Sequence, residues 1–204
     1  NEDAANLRPD YVLGVNPAAL SLAHLTVRRP VRSVLDIGTG CGIQALLAAR
    51  HSERVVAVDT NPRALRLARL NARLNGLGNV DCWLGNLFGP VAGRRFDLIV
   101  CNPPYVISPE TKYMFRDSGL PNDTICETVI REVHAYLNEG GLACLLCNWA
   151  LKKNEPWEAP LQRWTQGNGC DAWFLHSATQ DPLTYAAIWT RDRDASLYQH
   201  SLDR

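Results

Sequence analysis

The chain has 204 residues, of which 46% are hydrophobic, and its 21 Lys+Arg are balanced by 21 Asp+Glu, for a formal charge of zero. The apolar content excludes a disordered segment, and the charge balance excludes a stand-alone binder that holds nucleic acid by a bulk basic excess. No run reaches the roughly 18 apolar residues that a membrane-spanning helix needs, and Asn1-Glu2-Asp3 shows no leader pattern.

A cytoplasmic location without membrane contact is therefore expected. The first residue is Asn and not Met, so the chain is expected to be a segment of a longer protein. Of the seven cysteines, Cys82, Cys101, Cys144, Cys147 and Cys170 lie in or beside strand-like runs and read as free buried thiols. Cys144 and Cys147 have no second pair, and His24, His51, His134, His176 and His200 lack metal-ligand spacing, so no metal is expected.

In chain order, residues 16–27 read as a helix inside an N-terminal flank of residues 1–30. A single domain then spans 31–190, with a tail at 191–204. Residues 34–37, 55–58 and 96–100 are short and rich in β-branched side chains, as buried parallel strands are, and 142–147 reads the same way. Helical patterns lie between them. Residues 42–51 carry Ile43, Leu46 and Leu47 on one face. Residues 61–75 are opened by Asn61-Pro62 and closed by Gly76, and 124–137 are closed by Gly140-Gly141.

Strands alternating with helices predict a doubly wound α/β sheet with helices on both faces. Near the end, 170–176 and 183–189 are strand-like runs separated by six residues. A parallel crossover needs a dozen or more residues, so this pair is expected to be an antiparallel hairpin.

Chemistry is concentrated in two loops. Asp36-Ile37-Gly38-Thr39-Gly40-Cys41-Gly42 follows the first strand and opens the first helix of the domain. There glycines permit close backbone approach, and the helix N-terminus offers free N–H groups. A dinucleotide fold would place a third glycine where Ile43 stands, and the spacing here is G-x-G-x-G instead. Asp59 ends the second strand, placed to accept from the two hydroxyls of a ribose, whichever cofactor class is bound. The second loop is Asn102-Pro103-Pro104-Tyr105, after the fourth strand. Two prolines remove two donors and hold Asn102 extended, leaving acceptors beside an aromatic ring, which suits a planar NH2 group.

With both motifs in view, residues 31–189 resemble the class I S-adenosylmethionine-dependent methyltransferases, specifically their N-methyltransferase branch. The resemblance implies a Rossmann-like seven-stranded sheet, mostly parallel with an antiparallel last strand, and S-adenosylmethionine as cofactor. It places the methionine part at Asp36 and at Gly38, Thr39, Gly40 and Gly42, and the ribose at Asp59. The adenine falls at Asn86, with Leu87 beside it; the family commonly has Asp at the Asn86 position, and an Asn still accepts through its amide oxygen. Asn102, Pro103, Pro104 and Tyr105 would orient the NH2 for transfer, by positioning and with no general base.

Residues 97–107, followed by Glu110, are similar to enzymes that methylate a glutamine amide in release factors and to those that methylate the exocyclic amine of a base in RNA. A macromolecular substrate is therefore expected, a protein or a nucleic acid. Against the glutamine reading, the Pro-Arg-Pro-x-Thr-Glu element of those enzymes is replaced by Leu13-Gly14-Val15-Asn16-Pro17-Ala18-Ala19. Residues 106–122, with Lys112, Tyr113, Phe115, Arg116 and Asp117, either recognise substrate or seal the crevice. Trp157, Trp164, Trp173 and Trp189 read as packing anchors. A nicotinamide-dependent oxidoreductase and a non-catalytic cofactor-binding module are the competing functions.

Overall fold

The computed structural model describes residues 7–107, 113–117 and 119–189; Glu110, Lys112, His200 and the expected tail lie outside the described residues. Helix α1 (Pro17–Leu25) begins where the Asn16 side chain accepts from the Ala19 N–H at 3.0 Å, with proline in its first turn. Then come β1 (Val31–Ile37), α2 (Ile43–Ala49), β2 (Ser52–Asp59), α3 (Pro62–Leu74), β3 (Val80–Leu84) and β4 (Phe96–Cys101). The chain continues through α4 (Thr124–Glu132), β5 (Leu137–Leu145), α5 (Ala159–Thr165) and α6 (Pro182–Trp189).

The five strands form one parallel sheet in the order β3-β2-β1-β4-β5. Four consecutive residues are buried in each of β1 and β2, which requires cover on both faces. On one face Leu22, Ala45, Ala48, Leu65 and Ala68 pack against Val34, Val55 and Leu98. On the other, Phe88, Val91, Val129 and Val133 pack against Leu35, Val56 and Ile99. The small alanines of α2 and α3 bring those helices close to the sheet. After β3 the chain returns across β1 to start β4, so the carboxyl ends of β1 and β4 meet where the strand order reverses. Open α/β sheets bind ligands at such a point.

Three expectations are corrected. First, α4 ends at Glu132 and a 3-10 turn (Val133–Tyr136) leads directly into β5. Gly140-Gly141 therefore bulge a strand and do not stop a helix: Gly140 has φ +69°, and a Cβ on Gly141 would lie 2.7 Å from the Asn138 carbonyl. Second, the expected terminal hairpin is not present, since 170–180 have no regular structure and Pro182–Trp189 is helical. Asp181-Pro182 is a helix start signal, and the Asp181 carboxylate accepts from the Thr184 N–H at 3.0 Å, which outweighs the strand-like composition.

Third, Trp173 is 94% exposed and anchors nothing, whereas Trp164 is buried among Ile125, Cys126 and Leu161. Cys170 likewise is exposed and lies in no strand. All seven cysteines are free thiols.

Candidate active site at the carboxyl ends of β1 and β4

Gly38, Gly40 and Gly42 have φ of +69°, +55° and +91°, the left-handed region that a Cβ disfavours. At Gly42 a Cβ would also lie 2.8 Å from Leu46 Cδ1 and 3.0 Å from Ala68 Cβ, so glycine there lets α2 approach α3. Asp36, fully buried at the end of β1, braces the loop. Its Oδ2 accepts from the Thr39 hydroxyl at 2.7 Å and from the Ala45 N–H at 3.0 Å. Burial raises its pKa from 3.8 to about 6, against the lowering effect of those two hydrogen bonds, and Asp59 adds a smaller upward push.

Asp59 ends β2 on the other side of the loop. Its Oδ2 accepts from Gly40 N–H at 2.9 Å and its Oδ1 from Asn61 N–H at 2.8 Å. The Thr60 backbone also hydrogen-bonds this carboxylate, which keeps acceptor capacity beyond these three donors. Burial raises this carboxyl too, opposed by its backbone donors. Asn61, and not Asp59, caps α3 by accepting from Arg63 N–H at 2.9 Å. The loop after β3 is tied to the same end by Gly85 N–H donating to the Asp59 carbonyl at 3.1 Å. It presents Asn86 exposed and holds Leu87 at φ +45°, a costly conformation for a bulky residue that the surrounding core must enforce.

Asn102 follows β4 directly. The position a Cβ would take on Gly38 is 3.5 Å from the Asn102 carbonyl oxygen, so the two loops face each other across a narrow crevice. Pro103 is buried; Asn102, Pro104 and Tyr105 are half-buried. Among the described residues the Asn102 side-chain amide makes no hydrogen bond and remains available to a ligand. The Tyr105 ring rests on the cluster of Ile125, Cys126 and Leu161, and burial pushes its hydroxyl pKa up.

Sequence reasoning missed the two side chains that pin this loop. Asn148, beyond β5, donates to the Tyr105 carbonyl at 3.4 Å and to Tyr185 Oη at 3.1 Å. Tyr185, on α6, accepts from Ile107 N–H at 2.9 Å. A polar residue just past the carboxyl end of a strand beside β4 was the available signal for Asn148; Tyr185, far along the chain, gave none. The described part of the aromatic segment packs on itself. Tyr113 is buried and stacks on Phe115 at 5.6 Å, while the carboxylate of buried Asp117 accepts from Tyr113 N–H at 3.0 Å and Arg116 Nε at 2.6 Å. A groove of about 2090 Å³ along the outer edge of β5 takes in Tyr105 and Ile107 but no residue of the glycine loop. Among the described residues no His, Cys, Asp and Glu group could hold a metal ion, and no helix is long and apolar enough to cross a membrane.

A family model described as the methyltransferase small domain matches residues 16–166. The chain is 36% identical over 128 residues to a ribosomal protein uL3 glutamine methyltransferase of Bradyrhizobium diazoefficiens, covering 56% of this chain and 40% of that one. It is 37% identical over 122 residues to a release factor glutamine methyltransferase of Geobacter sulfurreducens, covering 53% and 43%. Among solved structures, TrmN from Thermus thermophilus aligns with TM-score 0.53 and 29% identity over 73% of this chain and 40% of that one. The chain spans about half the length of the curated relatives it matches.

Proposed function

The chain belongs to the methyltransferase small domain family, and on that premise we propose that it moves the methyl group of S-adenosylmethionine to the side-chain NH2 of a protein glutamine. The observation that carries this reading is the Asn102 side-chain amide, without a hydrogen-bond partner among the described residues, on a residue whose backbone carbonyl faces Gly38 of the glycine loop. Glutamine is preferred because two similar proteins are named for methylating it. A translation component as substrate puts the reaction in the cytoplasm.

The residues present fit the cofactor. Asp59 keeps acceptor capacity for a ribose hydroxyl beside its backbone donors, and the brace on Asp36 Oδ2 leaves its second oxygen for an ammonium, directly or through water. Gly38, Thr39, Gly40 and Gly42 form the cradle, and Asn86 with Leu87 flanks the adenine. The bound sulfonium supplies a methyl group that is already activated.

What this chain supplies is orientation. Asn102 Oδ1 and the Pro103 carbonyl accept the two N–H bonds of the amide, which draws its lone pair out of conjugation and toward the methyl. With the cofactor held, transfer would exchange the sulfonium C–S bond for a C–N bond, and the proton on nitrogen would depart to water. Pro103 and Pro104 withhold backbone donors that would compete for the substrate oxygen. Tyr105 holds one face of the site, with Asn148 and Tyr185 fixing the backbone behind it. Calorimetric titration with S-adenosylmethionine tests the cofactor site. Mass analysis of a release factor after incubation tests the acceptor: a methylated glutamine supports the reading, and transfer to RNA alone overturns the choice of glutamine.

A further inference from the structure

Zero net charge conceals a segregation. Eleven arginines and no lysine fall between residues 28 and 95, against four acids, Asp36, Glu53, Asp59 and Asp81. Two of those acids, Asp36 and Asp59, sit at the carboxyl end of the sheet, leaving the amino ends of the strands basic.

There Arg54, Arg94 and Arg95 line a notch of about 290 Å³ with Ser33, Val56 and Phe96. Each guanidinium is held by a different partner. Arg54 Nε donates to Asp81 at 2.9 Å, Arg94 lies 4.6 Å over the Trp83 ring, and Arg95 Nη1 donates to the Leu137 carbonyl at 2.7 Å. Beside the notch, Asp97 accepts from the backbone N–H groups of Arg32 and Ser33 and from Asn138, which turns its charge inward. Arg32 is exposed at the same edge. Four arginines thus share this edge with three carboxylates, Glu53 opposite Arg32 across the β1–β2 pair, and Asp81 and Asp97, both already engaged.

We propose that this edge is a docking surface for RNA, with one backbone phosphate seated in the notch. Planar, pre-oriented guanidiniums match a phosphate's oxygens in a way that lysines on a flexible face do not. Arg28, Arg29 and Arg50, at the starts of β1 and β2, extend the basic strip beyond the notch, as a polymer with repeated phosphates requires and a single phosphorylated side chain does not. The seven residues of β1 separate the notch from the crevice by about 20 Å. RNA bound here is therefore an anchor for a ribonucleoprotein partner, and not the group that enters beside Asn102.

Fluorescence anisotropy with labelled mixed-sequence single-stranded RNA, from 50 to 200 mM KCl, tests the proposal. Wild type is expected to bind with an affinity that falls steeply with salt. The Arg94→Gln/Arg95→Gln double variant is expected to lose about tenfold in affinity and to flatten the logarithmic salt slope by about one to two. Arg32→Gln, at an exposed position, repeats the test should the double variant melt at a lower temperature. No RNA binding by wild type at 50 mM KCl, or variants indistinguishable from it, overturns the proposal, as does tighter binding to a phosphopeptide than to RNA.

Discussion

Burying Asp36 has a stability cost whose sign and pH window are set by its surroundings. Its carboxyl ionises near 3.8 when solvated and at about 6 in the fold, because burial outweighs its two hydrogen bonds. The folded state then holds the proton more tightly than the unfolded chain does, so the contribution favours folding at low pH and is lost as pH rises through about 6. Above both values the loss is on the order of 3 kcal/mol. Asp36→Asn removes the titration but keeps an oxygen to accept from Thr39 and Ala45. Urea unfolding of both proteins from pH 4 to pH 8 isolates the effect from Asp59 and Asp97, which titrate in each. The unfolding free energy of wild type minus that of Asp36→Asn should fall by about 2 kcal/mol between pH 4 and 7, the rest of the loss lying below pH 4, and then stay level. A difference that is flat across the range, or rises, refutes the reasoning. The cofactor adds a second readout. If its ammonium lies near Asp36, wild-type affinity should weaken as pH drops below 6, by at most tenfold per pH unit, while the Asn variant shows no such trend.

Asn102→Ala should leave the cofactor Kd within about twofold and lower kcat at least 100-fold, since only orientation is lost; cofactor titration with single-turnover transfer separates the two. Asp59→Ala should weaken cofactor binding about 30-fold through lost charge-assisted hydrogen bonding to the ribose, read by calorimetry. Gly42→Ala should destabilise the fold by about 2–4 kcal/mol, combining the left-handed φ with contacts to Leu46 and Ala68, seen as a lower urea midpoint at constant slope. Tyr185→Phe removes the acceptor for Ile107 N–H and should lower kcat about three- to tenfold without moving the cofactor Kd.

The legible parts of the site are those in which a short stretch of sequence fixes its own geometry. The glycine spacing after β1 implies left-handed backbone at Gly38, Gly40 and Gly42, and all three adopt it. Asn61-Pro62 announces a capped helix, and the cap forms. Asn102-Pro103-Pro104-Tyr105 needs only the strand before it to be placed. Where two local signals compete, sequence alone does not decide. Residues 183–189 carry strand-like side chains behind an Asp-Pro helix start, and the cap prevails. Gly140-Gly141 reads as a stop signal until Leu137 is seen paired with Phe96, which makes the same glycines a bulge in β5. Least legible are contacts between distant segments. Asn148 and Tyr185 converge on residues 105–107, and Arg54 meets Arg94 and Arg95, with no periodicity to connect them.

The central claim is that the Asn102 loop presents an NH2 nitrogen to the methyl of a cofactor held by the glycine loop. Incubating the chain with methyl-labelled S-adenosylmethionine and a release factor, followed by peptide mass analysis, tests it most directly. The account predicts one added methyl on a glutamine side-chain nitrogen with wild type and none with Asn102→Ala, although both proteins bind the cofactor. Transfer that persists at the wild-type rate in Asn102→Ala would contradict it, as would a folded wild-type chain that binds no S-adenosylmethionine.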